Sequence, residues 1–416
     1  MHEIFAARES AVRSYCRSFP VVFERASGHH LWDTSGRRYV DLLCGAGALN
    51  YGHNHPEMVR RVVDYLTAGG PVQSLDLHTR AKAEFLEKFA QLLDAKGMSD
   101  YVVQFPGPAG TLAVEAALKL ARKVTGRTHV VAFRGGFHGA SLGSLAATTS
   151  PLLRGGAGTP LPHVTILPYD STPELESAVL SGPVPAAFIL ETVQGEGGLN
   201  AATRPWLGRV RRLADRLGAH VIVDDVQAGC GRTGRFFSFE EFPELRPDLV
   251  CLSKSLSGMG LPMAALLIRR ELDRWAPGEH NGTFRGHNLA FVAGSAALDL
   301  WADPDFAGRV ADLAGVIRQT LTEIVAQLPG HGLTLVGRGA MSGLRFPDAD
   351  LAGAVRDGLF RAGVIAETSG NGSVLKLFPP LTLTPAQWCE IADLIRDVIA
   401  DAADTARGSA VVSAVG

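Results

Sequence analysis

The sequence predicts an α/β protein with a mainly parallel sheet covered by helices on both faces, followed by a smaller α+β unit. Three observations carry that prediction. Between about Tyr101 and Ile268, short runs rich in β-branched residues alternate with amphipathic helical stretches. The runs are continuously apolar, as expected of strands buried on both faces. Several of them end abruptly in a charged residue, at the place where open α/β sheets bind ligands.

Taken in order, WDTSGRRYVDLL (32–43) reads as a small meander with a turn at Ser35-Gly36, and the Gly-rich CGAGALNYGHNHP (44–56) follows it. HVVAF (129–133), AAFIL (186–190), HVIVDD (220–225), LVCLS (249–253) and AALLI (264–268) read as buried strands. TLAVEAALKLARKV (111–124) and PWLGRVRRLADRL (205–217) are helical patterns between or before them. After the sheet region come a helix LAFVAGSAALDLW (289–301), a long helical pattern around 306–328 and a strand-like LTLVGRG (333–339). The expected division is an amino-terminal segment (1–48), a large domain (49–303), a carboxyl-terminal small domain (304–403) and a mobile small-residue tail (404–416).

Forty basic residues against 42 acidic ones leave a formal charge of −2, no electrostatic footprint for nucleic acid or an anionic membrane. Small-molecule partners are expected instead. The cysteines Cys16, Cys44, Cys230, Cys251 and Cys389 are scattered and odd in number, so neither a disulfide framework nor a metal site is expected. They read as reduced and mostly buried. The amino terminus mixes charge throughout and no 18-residue apolar run occurs, which leads to the expectation of a soluble, cytoplasmic protein.

The chemistry-bearing residues cluster at strand ends. In VIVDDVQAGCGRTG (221–234) an apolar strand ends in two acids, and a carboxylate there is costly unless something cationic meets it. Asp224 would suit a protonated pyridine nitrogen, and it would equally suit the cap of a following helix. Gly229, Gly231 and Gly234 spell G-x-G-x-x-G, but two acids intervene after the strand and RFFSFEEF follows, which argues against a dinucleotide fingerprint. Lys254 ends the next strand, 254 − 224 = 30 residues later. Alone it would be an ordinary surface lysine; beside a strand-end aspartate it reads as an amine nucleophile of lowered pKa.

FPGPAGTLAVEAALKLARK (105–123) runs a Gly/Pro loop into a helix, where the backbone N–H groups of Gly110 and Thr111 and the Thr111 hydroxyl can hold a phosphate. Loops of this composition precede many helices, and no G-K-[ST] makes it a P-loop. Thr283 in HNGTFRGHN (280–288) is a second hydroxyl that can reach such a phosphate from a partner subunit. Phe137 follows two glycines beyond a strand, placed either to stack on an aromatic cofactor or to pack in the core. Glu191 ends the strand AAFIL before a Gly-rich turn, as a site acid or a solvated loop acid.

Together these segments resemble the class III aminotransferases of fold type I, across about residues 10 to 400. The acid-bearing segment is matched by Asp224, Asp225, Gln227 and Gly229 through Gly234, and the cofactor-attaching lysine by Lys254. Gly110 and Thr111 match the phosphate loop, Phe137 and His138 the stacking aromatic and its neighbour, and Thr283 the partner-subunit threonine. The resemblance implies a mainly parallel seven-stranded sheet, pyridoxal 5'-phosphate as cofactor, no metal, and a homodimer or dimer of dimers with shared active sites.

VRSYCRSFP (12–20), SLDLHT (74–79), GEHNGTFRGHN (278–288) and ETSG…VLKLFPPLT (367–382) resemble the subgroup that transfers the terminal amine of 2,4-diaminobutyrate to 2-oxoglutarate and opens ectoine biosynthesis. That subgroup carries Thr and Asn where this chain has Ala109 and Leu112. Like the subgroup, the chain has Lys376 where many relatives place an arginine for the substrate's α-carboxylate; lysine cannot form arginine's bidentate fork. A switchable pair of Glu191 with Lys376 is therefore expected to handle the two substrates, with Arg285 or residues of the amino-terminal segment as further carboxylate-binding candidates. The competing readings are another ω-amine aminotransferase, for ornithine, 4-aminobutyrate or a secondary-metabolite amine; a racemase, mutase or decarboxylase of the same fold, which would need the same Lys254 and Asp224; and an inactive regulatory homologue, which retention of both residues disfavours.

Overall fold

The computed structural model describes residues 2–171 and 173–415, with the backbone alone at 2, 173–174 and 403–415. The tail expected to be mobile thus falls outside the described side chains. After two short helices, His2–Arg8 and Tyr15–Ser18, come three strands: β1 (Phe23–Ser27), β2 (His30–Asp33) and β3 (Arg38–Asp41). They form the expected meander, turning at Ser35-Gly36, where Asp33 Oδ1 accepts from the Ser35 and Arg37 amides.

The large sheet contains β4 (Tyr101–Gln104), β5 (Val130–Phe133), β6 (Val164–Leu167), β7 (Ala187–Leu190), β8 (His220–Asp224), β9 (Leu249–Leu252) and β10 (Ala265–Arg269). Their order is β4-β10-β9-β8-β7-β5-β6. All five apolar runs form strands, and every residue of β5, β7 and β9 is buried, which is why they lack a polar alternation. The one antiparallel member is β10, which pairs antiparallel with both β4 and β9.

The helix Gly110–Thr125 shows how sequence sets this layer. It is rich in Ala, Leu, Glu and Lys, good helix formers, and ends at Gly126, whose left-handed φ of 68° no β-branched residue adopts cheaply. Its buried face of Ala113, Val114, Ala117 and Leu120 packs in one cluster with Ala132, Ile189, Ile222 and Cys251 of the sheet. Burying each large aliphatic there is worth roughly 1.5–3 kcal/mol. On the opposite face Trp206, from the helix Arg204–Leu217, meets Phe133 edge-on at 4.8 Å.

Beyond the helices Asn288–Ala302 and Pro304–Gln327 lie β11 (Thr334–Arg338), β12 (Met341–Arg345), β13 (Val364–Ile365), β14 (Glu367–Ser369) and β15 (Val374–Leu377). A second four-stranded sheet has the order β11-β12-β15-β14, and β13 joins the amino-terminal meander by pairing in parallel with β3. Of the cysteines, Cys44, Cys230 and Cys251 are buried, Cys16 and Cys389 are exposed, and all are free. No helix among the described residues is long and apolar enough to cross a membrane.

Candidate active site

Parallel pairing of β8 with β9 sets Asp224 beside Cys251, so the carboxyl ends of the two strands come together and Lys254 follows two residues after β9. Asp224 is buried and its Oδ2 lies 2.8 Å from Nδ1 of His138, itself 1% exposed. Burial alone would lower the His138 pKa, but the hydrogen bond and charge of Asp224 raise it. A helix-capping role for Asp224 is not what the fold uses: Oδ1 accepts from the Val226 amide at 3.2 Å, and turns rather than a helix follow.

Lys254 opens a single 3-10 turn, Lys254–Ser257, with a φ of 51° that is uncommon for a residue bearing a side chain. The surface alternative fails, because the lysine sits in the wall of a cleft of about 1640 Å³. Burial, reinforced by the positive charge of Lys376, pushes its pKa down to about 8. A substantial fraction of neutral amine is therefore present near neutrality.

No side chain caps the helix at Gly110, which leaves its first amides without intrahelical acceptors. A Cβ on Gly110 would stand 2.9 Å from Val226, and one on Gly139 would stand 2.3 Å from the Thr111 hydroxyl, so glycine at both positions lets the strand-end loops pack closely against this helix start. Thr111 Oγ1 lies 2.6 Å from the Ser141 and 2.7 Å from the Ser144 hydroxyl. Ser141 and Ser144 carry no sequence signal and were found only through the fold.

Phe137 is exposed to the same cleft, and Gln227 reaches it too, with Nε2 donating to the Ala46 carbonyl at 3.0 Å while its buried Oε1 has no partner. Thr283 lies instead in an exposed loop outside the lining of this cleft, where its carbonyl accepts from Gln73. Arg285 is engaged by Asp76 at 3.1 Å, also away from the cleft.

The expected Glu191–Lys376 pair is corrected by the structure. Glu191 is 6% exposed, not a solvated loop acid, and its two oxygens accept from the Phe137 amide at 3.1 Å and the Gly195 amide at 3.0 Å. It ties the Phe137 loop to the glycine turn, and burial carries its pKa up to about 7. Lys376 instead pairs with Glu196 Oε1 at 2.8 Å and Glu367 Oε1 at 2.6 Å. Burial opposes its charge, yet the two carboxylates hold its pKa above the ordinary lysine value. Tyr15, from the amino-terminal segment, donates to Glu367 Oε2 at 2.9 Å. Glu196, Glu367 and Tyr15 were not singled out from the sequence. A lysine inside the apolar strand VLKL was the available signal, because a buried ammonium demands buried counter-charges.

The chain matches the family described as Aminotransferase class-III over residues 12–399. It is 49% identical over 393 residues to the diaminobutyrate–2-oxoglutarate transaminase of Halalkalibacterium halodurans, spanning 91% of this chain and 92% of that protein. It is likewise 49% identical over 401 residues to the protein of that name from Streptomyces anulatus, spanning 93% and 95%. Among solved structures it superposes on the ornithine aminotransferase of Toxoplasma gondii with a TM-score of 0.87 at 26% identity, covering 97% of this chain and 96% of that one. A second structure of that parasite enzyme, with a TM-score of 0.86 at 26% identity over 97% and 94% of the two chains, reveals partial occupancy of PLP at its active site. With the family match running almost end to end and relatives near half-identical along their length, this chain belongs to the class-III aminotransferases.

Proposed function

We propose that the protein is a pyridoxal-phosphate-dependent transaminase that moves an amino group between glutamate and the terminal amine of a short diamino acid, L-2,4-diaminobutyrate. The observation that carries the chemistry is Lys254, an amine of lowered pKa in the cleft wall, one strand from the buried Asp224–His138 pair. The donor assignment is supported by the names and identity of the relatives. Ectoine biosynthesis is the pathway that this donor implies, and a cytoplasmic location accords with it.

The residues present fit the cofactor. The start of the helix Gly110–Thr125, which no side chain caps, together with the Thr111, Ser141 and Ser144 hydroxyls gathered beside it, is a donor set that suits a phosphate dianion. Asp224 offers a fixed negative charge, which His138 orients, to a pyridine N–H, and the unpaired Oε1 of Gln227 offers a further acceptor in the cleft. When bound, the cofactor supplies an electron sink for charge developing on the substrate carbon. Lys254 Nζ is the group that would hold the cofactor's aldehyde and, once freed, would take the proton from the substrate carbon as general base and give it up as general acid at a different atom, so that the amino group moves. Phe137, exposed in the cleft, would stack against the cofactor's ring.

One cleft must accept glutamate at its α-amine and a diamino acid at a carbon remote from its carboxylate. Glu196 paired with Lys376 masks a carboxylate-binding cation, and release of Glu196 unmasks it for the α-carboxylate of glutamate; the two arrangements need differ by only ~1–3 kcal/mol. An amino-donor screen with 2-oxoglutarate tests the reading. 2,4-Diaminobutyrate is expected to yield glutamate and the ω-aldehyde; inertness of both it and ornithine while another amine reacts would defeat the assignment and turn attention to Ala109 and Leu112.

Thr283, remote from its own chain's cleft in an exposed loop, fits a role across a two-fold dimer interface, the commonest oligomeric arrangement. Mixing inactive Lys254→Ala subunits with weakened Thr283→Ala subunits is then expected to restore activity in the heterodimer, where one of the two sites is intact. A fully active monomer by sedimentation would refute shared sites.

A further inference from the structure

Lys376 is fully buried on β15, and Glu367 stands directly across from it on β14 in the antiparallel register. With Glu196 approaching from the glycine turn after β7, one ammonium faces two carboxylates, Glu367 at 2.6 Å and Glu196 at 2.8 Å. The triad carries one net negative charge. A second carboxylate held beside the first is repelled by it, and one ammonium already satisfies the first, so the arrangement is suited to receive another cation.

The two acids are not equivalent. The Glu367 side chain is 9% exposed, its Oε1 is ion-paired with Lys376 without hydrogen-bond alignment and its Oε2 takes the Tyr15 hydroxyl, so its charge lies inside the wall, whereas the hydrogen bond of Lys376 goes to Glu196. The Glu196 side chain is 38% exposed and lines the same cleft as Lys254. The surplus negative charge therefore faces the substrate.

We propose that Glu367 is a specificity-determining positioning residue: by sharing Lys376 with Glu196 from behind, it leaves one surplus negative charge on the cleft side, where Glu196 accepts the second, non-reacting ammonium of a diamino acid. This rests on the diamino-acid reading above and explains how the cleft would tell such a substrate from a monoamine. 2,4-Diaminobutyrate and 4-aminobutyrate have the same reacting amine, chain length and carboxylate, and differ only in that second ammonium.

The test is the ratio of kcat/KM for 2,4-diaminobutyrate to that for 4-aminobutyrate. In Glu367→Gln, Lys376 and Glu196 pair off, the surplus charge disappears, and the ratio is expected to fall about ten-fold, the size of one partly screened charge contact. Glu367→Asp, which keeps the charge, should restore most of it. General damage to folding or chemistry lowers both donors together and leaves the ratio unmoved, so an unchanged ratio in an active enzyme overturns the role of Glu367 alone. A wild type inert toward 2,4-diaminobutyrate overturns the donor reading and this inference with it. Should the variants not fold, wild type suffices: 1,3-diaminopropane is expected to compete with the donor at about ten-fold lower concentration than 1-aminopropane, and equal potency would overturn the proposal.

Discussion

Lys254→Ala is expected to lower transamination by at least ~10⁴-fold while leaving the protein folded. The size of the effect follows from two duties on one nitrogen, covalent capture of the aldehyde and proton transfer at the substrate carbon, neither of which has a substitute amine. Lys376, the lysine that is fully buried among the described residues, is held protonated by its two carboxylates. The fold survives because Lys254 touches the cleft, not the core clusters, and its removal relieves a like-charge contact with Lys376. Activity and thermal unfolding of the variant check this directly. Borohydride treatment of the wild type should fix the cofactor to the peptide containing Lys254, and label on any other lysine would refute the assignment.

Asp224→Asn is expected to cost about 10²–10³-fold in kcat, the usual loss when a preorganised electrostatic partner of developing charge is removed. A second readout separates this from structural damage. His138 has a raised pKa chiefly because Asp224 outweighs the effect of burial. A histidine raised in this way contributes stability that is fully present below its unfolded value of 6.5 and is lost as pH rises through its folded value. The stability gap between wild type and Asp224→Asn should therefore be widest below about pH 6 and narrow on the alkaline side. A gap independent of pH would mean that the pair carries no charge.

Much of this was legible in the sequence because burial on both faces of a sheet leaves a plain signature. β5, β7, β8 and β9 read as apolar runs, and Asp224 and Lys254 stand out because a charge at such a run's end needs a partner. β4 and β6 escaped, being short runs, YVVQ and VTIL, whose interior residues are only partly buried. The two-residue β13 carries too little pattern to reveal that it crosses into the amino-terminal meander. Glu191 and Glu196 lie five residues apart on one glycine turn, and nothing local says which of them Lys376 will meet. The amides of Phe137 and Gly195 occupy both oxygens of Glu191, and Glu196 is the acid left to reach Lys376. Glu367 could be read only as the mirror partner of Lys376 about the SGNG turn, an inference that requires the hairpin to be known.

The Tyr15–Glu367 hydrogen bond joins residues 352 positions apart, and β3 waits for β13 to complete its sheet. During synthesis at ~5–20 residues per second, a nascent chain can build the β5–β9 region while this wall of the cleft is still missing. The acidic side of the substrate pocket therefore closes last, after nearly the whole polypeptide has left the ribosome. Chains released before β13 should therefore lack the Lys376–Glu367 side of the cleft whatever the rest of the sheet has built.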